Sequence, residues 1–398
     1  MLDEYVWGDV DRISPEAPVQ IVSVTREENT LGGAGNVVNN LAALGARVQA
    51  AGVIGADASG KLVRNKLEEL GVGTSGVIEE PDRPTTIKTR IIAAHQQVLR
   101  IDRETKKNIS DQSIKKLTRA MEKIIPRADL ILVSDYGKGL ITASFLSKLV
   151  TVAKKHQKSV VVDPKGLDYT RYNGVSLVTP NSKEASLASG IEIVDSLTLT
   201  RAGTAIMEKI GIDRVLITLG KDGMILFETG REPYKISAEA RQVFDVSGAG
   251  DTVIAVLGLV LAAGASYREA MVLANTAAGL VVGKVGTATV SRKEIDAAMQ
   301  PSYDAQSLKH VSLTDIDTLV KSLKKKACRI VLTNGCFDLL HAGHIAFFSE
   351  AKNLGDVLIV AVDDDDSVTK LKGVGRPVIL AAERVRIICA LDVVDYVV

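Results

Sequence analysis

Between residues 48 and 286, short β-branched and aliphatic runs alternate with stretches of helical spacing, a rhythm that leaves few folds open. Val48-Gln49-Ala50-Ala51-Gly52-Val53-Ile54, Leu130-Ile131-Leu132-Val133, Ser159-Val160-Val161-Val162, Val175-Ser176-Leu177-Val178 and Val215-Leu216-Ile217-Thr218 each read as a strand. Helical segments between them predict an α/β fold with a mostly parallel sheet flanked by helices. Most of these runs end in Asp, Gly, Pro or Asn, which shape turns at the carboxyl ends of strands, where open α/β sheets hold their ligands. Residues 12–22 and 85–102 break the rhythm and read as extended ribbons, expected to form a small β lid beside the main sheet. At 398 residues the chain exceeds what one core usually serves. A polar segment over residues 302–323, with a helix expected over 314–326, precedes a second strand, Arg329-Ile330-Val331-Leu332-Thr333. The expected division is residues 1–309 and 310–398.

The composition removes several classes of function. Lys and Arg number 49 against 48 Asp and Glu, so no broad positive field is available to hold nucleic acid. Cys328, Cys336 and Cys389 are too few and too scattered for a disulfide framework, and five histidines give no zinc pattern. A cytoplasmic location is expected. Met1 is followed by the acidic, polar Leu2-Asp3-Glu4-Tyr5, and long apolar runs are interrupted by Gly or charge, so neither a signal peptide nor a membrane span is expected.

The strongest chemical signal is Asp245-Val246-Ser247-Gly248-Ala249-Gly250-Asp251, followed by the small and apolar stretch Thr252-Val253-Ile254-Ala255-Val256-Leu257-Gly258. A glycine-rich turn opening a helix aims backbone N–H groups and the positive end of the dipole at one point, which suits a phosphate. Gly248, Ala249 and Gly250 are the candidate donors, and Asp251 is placed to take a proton from an attacking hydroxyl. The alternative is a capped helix start with an Asp in its first turn. A tempting dinucleotide-type spacing, Gly71-Val72-Gly73-Thr74-Ser75-Gly76, follows a helical segment instead of a strand, so Gly71 reads as a helix C-cap.

Leu31-Gly32-Gly33-Ala34-Gly35-Asn36, then Gly45 and Gly55, together with the segment ending in Asp251, resemble the two signatures of the ribokinase or PfkB carbohydrate kinases. Val38 and Val256 replace the smaller residues usual there. The resemblance covers roughly residues 1–300 and implies a ribokinase-like fold with Asp251 as catalytic base. It also implies that Gly32 and Gly33 let the backbone approach a sugar and that Asn36 binds a sugar hydroxyl. Asn181-Ser182-Lys183-Glu184 resembles the family's Asn-x-x-Glu element, whose carboxylate, here Glu184, organises magnesium through water; taken alone it reads as a helix N-terminus. Thr218-Leu219-Gly220-Lys221-Asp222-Gly223 resembles the segment lining the nucleotide, with Thr218, Gly220 and Gly223 as contacts, and reads equally as a hairpin turn. Asn275 matches the adenine side, or is an ordinary core-helix Asn. The implied co-substrate is ATP with Mg2+ and a monovalent cation, and the implied assembly is a homodimer through the lid ribbons.

Lys88, Arg90 and Arg100 lie at near-alternating positions on the second ribbon, partly on one face of a strand pair. They form either a solvated edge or a site that reads a phosphate already on the substrate. Arg12-Ile13-Ser14-Pro15-Glu16-Ala17-Pro18-Val19, Ser134-Asp135-Tyr136-Gly137-Lys138-Gly139 and Val162-Asp163-Pro164-Lys165-Gly166 are similar to the heptose 7-phosphate kinase branch, in particular its bifunctional kinase and adenylyltransferase members. That resemblance implies phosphorylation of D-glycero-D-manno-heptose 7-phosphate at its anomeric hydroxyl, with Lys138 and Lys165 near phosphates or simply at strand ends. Rival expectations are a kinase of another sugar or sugar phosphate, and a non-catalytic sensor on the same fold.

In the C-terminal part, Thr333-Asn334-Gly335-Cys336-Phe337-Asp338-Leu339-Leu340-His341-Ala342-Gly343-His344 follows a strand and opens a helix. It resembles the His-x-Gly-His motif of nucleotidyltransferases and implies a partial Rossmann-like domain. In that role His341, His344 and the helix N-terminus stabilise charge at the α-phosphorus. Thr333, Phe337 and Lys372 are the implied nucleotide contacts, with Lys370, Arg376 and Arg384 matching further phosphate-gripping positions; Cys336 reads as a buried small residue. Asp363-Asp364-Asp365-Asp366 is more acidic than expected there and predicts repulsion needing magnesium or solvent. Relatives of this kind continue past the position of Val398 and carry a Gly-Asp-Val strand before the position of Asp3. Both ends therefore read as cut, with the adenylyltransferase in doubt and Asp3, an implied sugar ligand, on an unsupported terminus.

Overall fold

The computed structural model describes all residues except 94–95, 239–245, 285, 287, 300–308 and 374, and the side chain of Asp11. The chain divides into two compact units, Met1–Ala297 and Ala298–Val398.

The first unit is built on a sheet in the order β12-β11-β10-β9-β8-β7, from β7 (Leu130–Ser134), β8 (Ser159–Asp163), β9 (Leu177–Val178), β10 (Arg214–Thr218), β11 (Met224–Glu228) and β12 (Tyr234–Ile236). The strands from β7 to β10 are parallel, and β11 and β12 add antiparallel edges. The pleat explains why β8 reads as an unbroken apolar run. Val160 and Val162 enter one core cluster and Val161 another, each at most 2% exposed. Helices Ala143–Lys155 and Ser196–Ile210 pack in the first cluster, Ala249–Ala262 and Tyr267–Val281 in the second. Each fully buried Val is worth roughly 1.5–3 kcal/mol of transfer free energy, so a charge in this strand would be costly.

The lid is a second sheet, β2-β1-β5-β6, from β1 (Leu2–Ile13), β2 (Gln20–Leu31), β5 (Ile87–Ala93) and β6 (Gln96–Arg103). Strands β3 (Gln49–Gly55) and β4 (Gly73–Glu80) form a separate parallel pair. Residues 12–22 are not one ribbon as expected. Pro15 and Pro18 supply no N–H to a ladder, and the chain reverses between β1 and β2, with Ser14 N–H donating to Val19 O at 2.8 Å. Nor is Asp3 on an unsupported terminus. It lies in β1, between β2 (opposite Thr30) and β5 (opposite Lys88), and is 3% exposed. The neighbouring Leu2 anchors this strand in a cluster with Leu31 and Ile87.

The second unit carries a parallel sheet, β13-β14-β15, from β13 (Ile330–Gly335), β14 (Val357–Val362) and β15 (Tyr396–Val397). Its core gathers Phe348, Leu358, Val360 and Ile388. The helix expected over 314–326 spans Ile316–Lys325. Among the described residues, no helix is long and apolar enough to cross a membrane.

Candidate active sites

In the first unit the site forms where the carboxyl ends of β7, β8 and β10 meet the helix Ala249–Ala262. Small residues let that helix come close to the sheet: a Cβ on Gly258 would lie 2.5 Å from Leu132 Cδ2. Gly248 occupies the N-cap at φ 79°, a left-handed conformation that suits glycine, and a Cβ on Gly250 would meet open space. Gly248, Ala249 and Gly250 therefore open the helix as expected, with Asp251 in its first turn. Asp245 lies outside the described residues.

Asp251 is held on both oxygens. The Tyr136 hydroxyl donates to Oδ1 at 2.5 Å, and Asn36 Nδ2 donates to Oδ2 at 2.9 Å. Burial pushes the carboxyl above its ordinary value, the two donors work against that, and the Asp3 carboxylate adds to it. Asn36, expected on a sugar hydroxyl, thus gives an amide N–H to Asp251. Gly32 faces Asp3, whose Oδ2 would lie 2.4 Å from an added Cβ; Gly33, at φ 55°, would place a Cβ 3.0 Å from Tyr136 Cζ. No larger residue fits either position without displacing a neighbour.

The lid cations share a face and are paired within the sheet. Opposed positions Lys88 and Asp102 form an ion pair at 2.9 Å, and Arg100 grips Asp102 through two bonds of 2.8 and 3.0 Å. Arg90 pairs with Asp3 at 3.0 Å and lies over the Tyr5 ring. Lys138 pairs with Glu104, and Lys165 with Glu184 at 2.7 Å.

Asn181 caps the helix Ser182–Ser189 and Glu184 closes the capping box, so the alternative reading as a helix N-terminus is satisfied in full. The same geometry places Glu184 near Asp163, at the end of β8. Burial first, then the charges of Glu184 and Asp251, push the Asp163 carboxyl up to about 8. Asn181 bridges to Thr218, which ends β10. Gly220 and Gly223 frame the turn from β10 into β11, closed by Leu219 N–H donating to Gly223 O at 2.8 Å, so the segment is a hairpin turn as well. Asn275 Nδ2 donates to Ser237 O at 3.0 Å. Tyr136, Asp135 and Asp163 received no individual role from sequence; the available signal was their position just after predicted strands.

In the second unit, His341 is the N-cap of the helix Ala342–Lys352, its Nδ1 accepting from Gly343 N–H at 3.1 Å. His344 Nδ1 accepts from His341 N–H at 3.3 Å, and the two rings lie 3.9 Å apart between centroids. With Nδ1 accepting, the neutral tautomer carries its hydrogen on Nε2, so each ring presents an N–H donor at the helix N-terminus. Burial, then His341 and Lys372, hold His344 below the ordinary imidazole value. Phe337 adopts φ 45°, unusual for a bulky residue, and sets its ring edge-on to His344. Thr333 lies on β13.

Several expectations for this unit need correction. Arg384 is 1% exposed and its donors are spent inside the fold, on Ile379 O and Asp363 O at 2.9 Å, on Cys336 O, and on Asp365 Oδ1 at 2.6 Å. Arg376 pairs with the buried Asp338 at 2.6 Å. Arg384 is therefore not placed as a phosphate grip and Arg376 is held by Asp338, whereas Lys370 and Lys372 lie in the last turn of the helix Asp365–Lys372. Two of the four aspartates are engaged within the fold: Asp364 caps the helix Asp365–Lys372 and Asp365 is paired with Arg384. Cys336 is only partly buried. Burial acts to raise its thiol, but Lys372 beside it and backbone donors hold it below its ordinary value. Among the described residues, no cluster of three or more His, Cys, Asp or Glu could hold a metal ion.

Comparison with known proteins matches residues 3–294 to the pfkB family carbohydrate kinases and residues 332–398 to the cytidylyltransferase-like family. Over 397 residues the chain is 55% identical to the bifunctional protein HldE of Desulfatibacillum aliphaticivorans, covering 100% of this chain and 81% of that protein. It is 48% identical to the protein of the same name from Geobacter metallireducens, with the same coverage. Among solved structures, Arabidopsis thaliana ribokinase complexed with ribose and ATP aligns with a TM-score of 0.61 at 24% identity, covering 76% of this chain and 96% of that one. Escherichia coli phosphofructokinase-2 in complex with potassium aligns with a TM-score of 0.62 at 20% identity, covering 75% and 95%.

Proposed function

Because this chain belongs to the pfkB family of carbohydrate kinases, and along its whole length to the proteins named bifunctional protein HldE, we propose that it phosphorylates D-glycero-D-manno-heptose 7-phosphate with ATP. The product is the 1,7-bisphosphate, and the C-terminal unit transfers an adenylyl group from ATP to heptose 1-phosphate. The observation that carries the kinase reading is Asp251 in the first turn of the helix opened by Gly248, Ala249 and Gly250. The anomeric hydroxyl gives its proton to Asp251, its oxygen bonds the γ-phosphorus, and the bond from that phosphorus to the ADP oxygen breaks. The backbone N–H groups at the helix N-terminus stabilise the charge on the transferring group.

Magnesium, when bound with ATP, neutralises phosphate charge. The residues present fit it: burial and the charges of Glu184 and Asp251 push Asp163 up to about 8, a carboxylate excess that a cation would relieve, and the fully buried Tyr169 has a hydroxyl without a hydrogen-bond partner among the described residues. Glu184 would organise the ion through water once Lys165 lets go. Thr218, Gly220 and Gly223 line the nucleotide, with Asn275 on its adenine side. Asp3 and the glycine pair Gly32 and Gly33 hold the sugar, and Lys88, Arg90 and Arg100 read its 7-phosphate by exchanging carboxylate partners for phosphate oxygens.

In the second reaction a heptose 1-phosphate oxygen bonds the α-phosphorus of ATP and pyrophosphate leaves. His341, His344 and Lys372 stabilise the charge, while Thr333 and Phe337 shape the pocket. The protein works in the cytoplasm, where ATP is found. Its lid leaves Ile13, Val19, Val24, Leu99 and Ile101 exposed, an apolar surface suited to pairing two lids in a homodimer. A monovalent cation completes the kinase site, which a potassium dependence of turnover would test. Phosphorus NMR of mixtures with ATP tests the two reactions separately. A new anomeric phosphate signal from heptose 7-phosphate, and ADP-heptose from heptose 1-phosphate, are expected. Turnover of unphosphorylated sugars in preference to the 7-phosphate would favour another kinase specificity, and no turnover of any sugar would favour a sensor.

A further inference from the structure

The loop that follows β7 has a construction that the kinase reading alone does not explain. Asp135, 3% exposed, ties it down from three sides: Oδ1 accepts from Gly137 N–H at 2.7 Å, while Oδ2 accepts from the Tyr172 hydroxyl at 2.7 Å and pairs with Arg171 at 2.8 Å. Gly137 turns the chain at φ 63°. Tyr136, between them, is therefore aimed by a fixed backbone. Its ring lies against Gly33 in the sugar-side signature and its hydroxyl reaches Asp251 Oδ1. The opposite donor is fixed as well, since Asn40 Nδ2 donates to Asn36 O at 3.0 Å, and Asn40 Oδ1 faces the Thr252 hydroxyl at 3.4 Å on the base's own helix.

We propose that Tyr136 is the positioning residue for the catalytic carboxylate, its hydroxyl fixing the plane of Asp251 together with Asn36 and favouring the ionised form that accepts the sugar proton. Each carboxylate oxygen has two lone pairs. Tyr136 and Asn36 occupy one on each oxygen and leave one on each for the substrate. The groups around Asp251 make such help necessary. Burial first, and then the Asp3 carboxylate from β1, act against ionisation of Asp251, while the charge on Asp251 in turn helps push up Asp163 at the end of β8. Tyr136 and Asn36 are the two hydrogen-bond donors on the carboxylate among the described residues. A charge-assisted bond at 2.5 Å is of the stronger kind. Loss of the Tyr136 donor leaves the ring contact with Gly33 in place but lets Asp251 rotate and protonate more readily.

The inference rests on the kinase reading of the same site, and the test separates the two. Wild type turning over no sugar phosphate would sink the kinase reading. With an active wild type, Tyr136→Phe is expected to lower kcat by about tenfold or more and to move the acid limb of kcat to higher pH by about one unit, with KM for the sugar phosphate changed less than about threefold. A merely structural tyrosine would not move the acid limb. Replacing Tyr136 with 3-fluorotyrosine keeps the shape and strengthens the donor, so the acid limb is expected to move the other way. An acid limb unmoved in the fluorotyrosine protein, or a Tyr136→Phe loss confined to KM, overturns the proposal.

Discussion

Replacing Arg384 with methionine should loosen the C-terminal unit before it affects nucleotide binding directly. The guanidinium, 1% exposed, bonds three backbone carbonyls, those of Cys336, Asp363 and Ile379, and the Asp365 carboxylate. These segments end β13 and β14 and lead into the helix Ala381–Cys389, so one side chain ties the loops around the nucleotide motif together. Methionine matches the length of the stem but offers no donor. Each buried acceptor left without a partner costs about 1–3 kcal/mol, and losing the buried half of an ion pair costs about 3–5 kcal/mol in all. Asp365 is 38% exposed and water replaces part of its loss, which sets the expected total near 3 kcal/mol. Amide hydrogen exchange of residues 330–335 and 357–362 measures it: protection there should fall by roughly a hundredfold. Protection unchanged within about threefold, combined with weaker ATP binding, would refute this assignment and restore Arg384 as a phosphate ligand.

Two further outcomes follow from geometry. Gly32→Ala places a Cβ 2.4 Å from Asp3 Oδ2. The displaced carboxylate should raise KM for the sugar phosphate by about tenfold or more, read by steady-state kinetics; an unchanged KM would remove Asp3 from the sugar site. In the second unit, His344 is held below its ordinary value and accepts a backbone hydrogen bond on Nδ1. Its neutral form therefore persists as pH falls from 8 through about 6.5. Adenylyl transfer should be flat over that window in a pH–rate profile and fall only in more acidic solution. A rate that climbs as pH drops from 8 to 6.5 would mean that the imidazolium is the working form.

Much of the fold was legible because parallel strands buried on both faces announce themselves: Val160, Val161 and Val162 leave no room for another reading. The turn in the first ribbon was less so, although Pro15 and Pro18 mark where a ladder must stop. Asp251 and its glycine turn could be located because their chemistry depends on local backbone, as could His341 and His344. What sequence does not carry is how a side chain is spent once distant segments meet. Asn36 lies 215 positions from Asp251 and bonds it, and Tyr136 lies 115 positions away and does the same. Arg384 shows the limit from the other side: a phosphate-type position in the linear pattern becomes a buried brace once four acceptors surround it. The lid cations were placed on one face correctly by alternation, but their pairing with Asp102 and Asp3 depends on register across strands.

In the proposed kinase reaction Asp251 takes the proton of the acceptor hydroxyl. The most direct measurement is the initial rate of ADP formation with heptose 7-phosphate for the Asp251→Asn protein against wild type, at saturating ATP and with ATP affinity determined separately. A fall of roughly a hundred- to ten-thousandfold is expected, with ATP affinity nearly unchanged. A rate within about tenfold of wild type would contradict it.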